Sequence, residues 1–161
     1  LVVARNDAAV RGLEGLAEAV HPLLGEGGAA HAEEGGLRFR VDLLGGQKTG
    51  WFFDQRENRA RVAALASGAS VLDAFCHTGG FGLRCAAAGA TRVVLLDSSE
   101  HALALAGESA AGNGLADRVQ PRRGEALEAL GRMAAAGERH DIVIADPPAF
   151  AAVAEGRAGL F

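Results

Sequence analysis

From Ser70 onward the chain repeats one pattern: a short apolar run, a helical stretch rich in alanine, then another apolar run. The runs fall at residues 71–75, 92–96, 118–121 and 142–145, and the helical stretches between them at 80–88, 99–113 and 125–136. Strands alternating with helices of this length require parallel strands, right-handed crossovers and helices on both sheet faces. The predicted fold is therefore α/β, a doubly wound and mainly parallel Rossmann-like sheet. At 161 residues, 49% hydrophobic and 22% charged, the chain has the length and makeup of one folded domain, which excludes intrinsic disorder.

The region before the sheet reads differently. A helix is expected at residues 7–20. Residues 37–43 alternate Leu, Arg, Phe, Arg, Val, Asp, Leu, the period-two signature of a half-buried strand. With Gly45 and Gly46 as the turn, the expected hairpin runs over 37–53. Asp54 followed by Glu57 resembles a capping box that opens a helix to about residue 67. The chain thus divides into an N-terminal helix and hairpin region, 1–53, and a sheet domain, 54–161.

Charge and cysteine usage narrow the function classes. The net charge of −4 and pI near 5.7 exclude a chain that holds nucleic acid by bulk electrostatics. The weakly charged stretch 62–90 is broken by Asp73 and Arg84, so no membrane span is expected. Arg5, Asp7 and Arg11 sit where a secretory leader would need an apolar core. Cys76 and Cys85 are too few for a disulfide framework and fit no zinc spacing. No metal site is expected, and a reducing compartment, the cytoplasm, is. Leu1 opens the chain and Met133 is its only methionine, so a segment of a longer protein is the expectation.

Four places carry the chemistry. The first strand runs into Asp73, Ala74, Phe75, Cys76, His77, Thr78, Gly79, Gly80, Phe81, Gly82, at the carboxyl edge where open α/β sheets bind ligands. Glycines there let backbone N–H groups approach a ligand at a helix N-terminus. A dinucleotide loop would need glycine at position 85, where Cys85 stands, which disfavours a nicotinamide-dependent oxidoreductase. Asp97, followed by Ser98, closes the second strand, where a carboxylate can accept both hydroxyls of an adenosine ribose. Glu125 follows the third strand, placed to meet an adenine amino group or to serve as a first-turn helix acid. The fourth strand ends in Asp146, Pro147, Pro148, Ala149, Phe150. The two prolines hold an extended backbone with free carbonyls, and Phe150 offers a ring on which a base can stack.

The order of glycine loop, Asp97, Glu125 and Asp-Pro-Pro-x-Phe resembles the class I S-adenosylmethionine (SAM) dependent methyltransferases. A second motif narrows the likeness. Gly46, Gln47, Lys48, Thr49, Gly50, Trp51, Phe52, Phe53, Asp54, Gln55, Arg56, Glu57, Asn58, Arg59 is similar to the Gly-x-Lys-Thr-Gly-aromatic-aromatic-x-Asp-Gln-Arg signature of the bacterial large-subunit ribosomal RNA cytosine-C5 methyltransferase family. Val10 to Leu16 resembles that family's Val-Arg-x-x-Glu-Gly-Leu segment.

The resemblance implies SAM as cofactor. It makes Asp73, Phe75, His77, Thr78, Gly79 and Gly80 the methionine-side loop, Asp97 with Ser98 the ribose site, and Glu125 the adenine-side acceptor. Lys48, Thr49, Gln55 and Arg56 would line the cleft, and Asp146, Pro147, Pro148 and Phe150 would edge the target-base pocket. It implies ribosomal RNA as the partner. Cytosine-C5 transfer needs a thiolate that adds at C6. The family carries that cysteine, and three more strands, beyond Asp-Pro-Pro-x-Phe, so Cys76 and Cys85 are not expected to be the nucleophile. Guanine-N7 transfer is the near alternative; an oxidoreductase or an inactive cofactor-binding piece are the distant ones. With only four of the family's seven strands, residues 142–145 would form a bare edge, so self-association, a homodimer included, is expected.

Overall fold

The computed structural model describes residues 2–6, 10–26, 29–45 and 50–148. Its central element is a four-stranded parallel sheet of β5 (Ser70–Ala74), β6 (Arg92–Asp97), β7 (Val119–Arg123) and β8 (Ile142–Ala145), in the order β7-β6-β5-β8. Four helices serve this sheet: α2 (Arg56–Ala63), α3 (Gly80–Ala87), α4 (Glu100–Gly112) and α5 (Ala126–Ala135). The predicted strands and crossover helices thus form, with ends shifted by one or two residues. The strand order reverses at β5, where the chain crosses from the β6–β7 side to β8, and a ligand crevice belongs at that reversal.

Side-chain alternation explains why both faces are covered. Val71, Val93 and Leu95 point to one face with Leu83 of α3 and Leu103 of α4; Leu72, Val94 and Leu96 point to the other with Ala126, Ala129 and Met133 of α5. Fully burying one such side chain contributes roughly 1.5–3 kcal/mol, so strands apolar on both faces are held only between two helix layers. Pro121 lies in β7 opposite Leu95. It is tolerated because β7 is an edge strand, where a missing N–H costs no ladder bond.

The N-terminal region departs from expectation in three places. In place of a helix over 7–20, a single helical turn, α1 (Val10–Leu13), precedes β2 (Ala19–Leu24), which pairs antiparallel with β1 (Val2–Asn6). Gly15, at φ 69°, ends the helical path. The second hairpin also forms upstream of its expected place. β4 (Leu37–Asp42) pairs with β3 (Ala29–Glu34), not with a segment reaching Trp51. Gly35 and Gly36 link them at φ 57° and 79°, and left-handed conformations at both central residues suit a two-residue turn. Past β4 the carboxylate of Asp42 accepts the N–H groups of Leu44 and Gly45 at 2.9 Å each, turning the chain away. Finally, no side chain caps α2: Phe53–Gln55 forms a 3-10 turn and Gln55 takes the cap position. Asp54 and Glu57 therefore make no capping box.

The β3–β4 hairpin is packed onto the sheet domain. Phe39, Val41 and Trp51 join the core formed by Leu83, Val93, Leu95 and Leu103. Helix α4 satisfies the free backbone of β4 with side chains. Asn113, its cap residue, accepts the Arg38 N–H at 3.0 Å and donates to the Arg38 carbonyl at 2.7 Å, while Ser109 accepts the Arg40 N–H at 2.8 Å. A strand edge that would otherwise invite pairing is thereby closed.

Candidate functional site

The loop after β5 carries unusual backbone. Phe75 and His77 adopt φ of 61° and 50°, and Gly79 adopts 79°. Left-handed conformations in non-glycine residues cost roughly 1–2 kcal/mol each and persist where surrounding contacts fix them. Here the fixing group is Asp97: its Oδ2 accepts the His77 N–H at 2.8 Å and its Oδ1 accepts the Ser99 N–H at 2.9 Å. Ser99 in turn caps α4 by accepting the Ala102 N–H at 3.2 Å. Asp73 Oδ2 receives the Gly82 N–H at 2.8 Å. Glycine at position 82 leaves room that a side chain would take, because a Cβ there would lie 2.3 Å from Leu95 Cδ2. Its absence lets α3 press against the sheet beneath the loop.

Burial sets the protonation of the loop. Asp73 is sealed from solvent, and that burial, reinforced by the charges of Asp146 and Asp97 and opposed by the Gly82 N–H, pushes its pKa up to about 7. Burial, with Asp73 and Asp97 nearby, pushes the Cys76 thiol far above its ordinary range, and burial with Asp73 raises Cys85 to about 12. Both stay protonated thiols at neutral pH, unlike a nucleophilic cysteine. Burial also lowers the pKa of His77.

Opposite the loop stands the segment from Gly50 into α2. The Phe52 ring meets the His77 ring edge-on at 5.7 Å. Gln55 Nε2 donates to Asp146 Oδ2 at 3.4 Å, and its own carbonyl accepts from Asn58 at 2.7 Å. That second bond fixes which end of the amide faces Asp146. Arg59 is buried and paired with Glu34 at the end of β3. Burial alone would raise the Glu34 carboxyl, but the Arg59 bonds and charge outweigh it and hold its pKa below the ordinary value. At the outer rim, His101 of α4 lies 3.1 Å from Asp42.

Loop and segment enclose a cavity of about 700 Å³, within the ~300–1,000 Å³ of small-molecule sites. Of the residues expected to act, Asp73, Phe75, His77, Thr78, Gly80, Asp97, Ser98, Gln55, Asp146, Pro147 and Pro148 line it. Gly79 supports the loop from behind, where a Cβ would lie 3.1–3.3 Å from Leu95, Ala106 and Leu83. Glu125 is exposed at the start of α5, outside the lining, and Arg56 turns 3.8 Å from Glu34 instead of into the cavity. Lys48, Thr49 and Phe150 lie outside the described residues. Sequence reasoning did not assign Trp51, Arg59, Asp42 or His101, which also line the cavity. Arg59 stands four residues beyond Gln55, one helical turn along the same face, and that spacing could have identified it.

A parallel sheet in this order, a glycine loop over its reversal point, an acid closing the second strand and Asp-Pro-Pro closing the fourth define a class I methyltransferase domain. The S-adenosylmethionine-dependent methyltransferase family model matches residues 18–155, and the chain belongs to that family. It is 39% identical over 151 residues to ribosomal RNA large subunit methyltransferase I of Aeromonas hydrophila, covering 91% of this chain and 38% of that protein. Its fold is similar to a SAM-dependent methyltransferase from Agrobacterium tumefaciens, with a TM-score of 0.74 and 25% identity over 81% of this chain and 44% of that one. It is also similar to a methyltransferase complexed with S-adenosylhomocysteine (SAH), with a TM-score of 0.72 and 27% identity over 80% and 35% of the two chains. The chain therefore spans less than half the length of these relatives.

Proposed function

We propose that the protein methylates a base of large-subunit ribosomal RNA from SAM, with cytosine C5 as the favoured atom. The observation that carries this reading is one cavity that joins the glycine loop and Asp97 at one end to Asp146, Pro147 and Pro148 at the other. Cofactor and acceptor would meet inside it. The name of the Aeromonas relative, together with the 46–59 motif, supports ribosomal RNA as the substrate.

The residues present fit the cofactor. Asp97, half-buried at the cavity wall, keeps carboxylate lone pairs beyond the two that receive His77 and Ser99, and these would accept the ribose hydroxyls. SAM, when bound, supplies an electrophilic methyl group on a sulfonium. The chain's own task is placement: loop and proline segment hold the two reactants in line, which accounts for much of the rate in such reactions. Gln55 orients the Asp146 carboxylate, and the carbonyls after β8 are freed by Pro147 and Pro148 to face a base taken out of its stack. Lys48 and Thr49 belong to the same cleft in this reading, and Phe150 to the base pocket. The C6 thiolate of cytosine-C5 transfer comes from neither Cys76 nor Cys85, both held as thiols.

Incubating the full-length protein with methyl-labelled SAM and unmodified ribosomal RNA, followed by nuclease digestion and mass spectrometry, tests the proposal. Label on 5-methylcytidine is expected. Label on guanosine would replace cytosine C5 with guanine N7, and no label in RNA would remove ribosomal RNA as the substrate.

A further inference from the structure

Apart from its histidines, the titratable side chains lining the cavity include five carboxylates, Asp42, Asp54, Asp73, Asp97 and Asp146, and one guanidinium, Arg59. A ligand group bearing negative charge has one favourable place among them. Arg59 is only 3% exposed. Its Nε donates to Glu34 Oε1 at 2.8 Å, and its Nη2 donates to Glu34 Oε2 at 2.6 Å and to the Phe52 carbonyl at 2.8 Å. The third nitrogen, Nη1, has no hydrogen-bond partner among the described residues. It borders the glycine loop, since a Cβ built on Gly80 would lie 3.6 Å from it.

The fork is held rigidly. Its carbon stacks 4.5 Å from the Trp51 ring centroid and 6.0 Å from that of Phe81. Glu34 neutralises the buried charge without using the inner edge. Gly80 opens α3, so a helix N-terminus and the open edge of the guanidinium lie side by side. Nη1 therefore keeps an open donor toward the cavity, and a planar carboxylate is the group that matches a guanidinium edge.

We infer that Arg59 Nη1, together with the start of α3 at Gly80, binds the α-carboxylate of the cofactor's methionine end, and that Glu34 holds it there. The inference rests on the reading of this cavity as a SAM site. It also gives the β3–β4 hairpin a role in cofactor binding, because Glu34 ends β3.

The test compares SAH, SAH methyl ester and 5′-methylthioadenosine on the full chain, followed by the emission of Trp51, the only tryptophan. The unaltered chain should bind SAH at least tenfold more tightly than the ester. Arg59→Met, made with Glu34→Gln so that no carboxylate is stranded, should bind SAH and ester alike and keep its affinity for methylthioadenosine. Glu34→Gln alone keeps the guanidinium but removes one of the two acceptors that hold it, and should bind SAH more weakly while still preferring it to the ester. Equal binding of SAH and ester by the unaltered chain overturns the inference even if the double variant does not fold. Methylthioadenosine affinity falling with SAH affinity in the double variant also overturns it, because the role would then be structural. Binding of none of the three ligands would instead overturn the cofactor reading itself.

Discussion

The carboxylate of Asp97 receives the N–H groups of both His77 and Ser99, so its removal strands two donors and frees a loop held in left-handed backbone. We predict that Asp97→Ala weakens SAH binding about 10- to 100-fold and lowers stability by about 1–3 kcal/mol, whereas Asp97→Asn, which keeps one acceptor oxygen, loses less of each. Calorimetry and chemical denaturation on the two variants check this; equal losses would show that the oxygen kept by Asn contributes nothing and would contradict the prediction. Asp73 makes a different prediction. Its folded pKa of about 7 lies above its ordinary 3.8, so its contribution to stability is full below about pH 4 and is lost as pH rises through 7, with a slope of up to about 1.4 kcal/mol per pH unit. Asp73→Asn should flatten that slope, and an unchanged pH profile would contradict the assignment. The sequence marked Asp73 and Asp97 because each lies toward the carboxyl end of a strand, beside the crevice. Helical spacing from Gln55 offered Arg59, but its pairing with a residue 25 positions away, and the place of His101 beside a residue 59 positions away, depend on the tertiary fold.

At the scale of elements, the parallel sheet was legible because β5, β6 and β8 are short apolar runs and the strands are separated by helices of crossover length. The hairpin was misread because Ala29–Glu34 carries two glutamates, a histidine and three alanines and shows no alternation. It forms a strand because Gly35 and Gly36 supply the turn. The capping box failed for a related reason: Gln55, whose amide is held by Asn58 and Asp146, takes the position that starts α2. Helix α3 lies close against the sheet at Gly82. A methyl group at Gly82 would meet Leu95 at 2.3 Å, Val93 at 3.0 Å and Asp73 Oδ2 at 3.1 Å. Gly82→Ala should therefore cost about 1–3 kcal/mol by overpacking and weaken SAH binding by shifting the Asp73 loop. A thermal melt unchanged from that of the parent chain would contradict this packing.

For the molecule as a whole, the two long edges of the sheet differ. β7 carries Pro121 and two arginines, features that discourage pairing, while β8 reads Ile-Val-Ile-Ala with Val143 55% exposed. Among the described residues no strand pairs with the outer side of β8. We predict that the isolated 161-residue chain self-associates through this edge and that Val143→Lys shifts it toward monomer; light scattering that finds monomer for both would contradict the prediction. SAM binding belongs to the β5–β6–β8 crevice. It is tested most directly by titrating the chain calorimetrically with SAH and, separately, with NADH, both of which offer a ribose to Asp97. Saturable one-site binding of SAH with no measurable heat from NADH is expected, and NADH binding in the absence of an SAH signal would contradict SAM binding there.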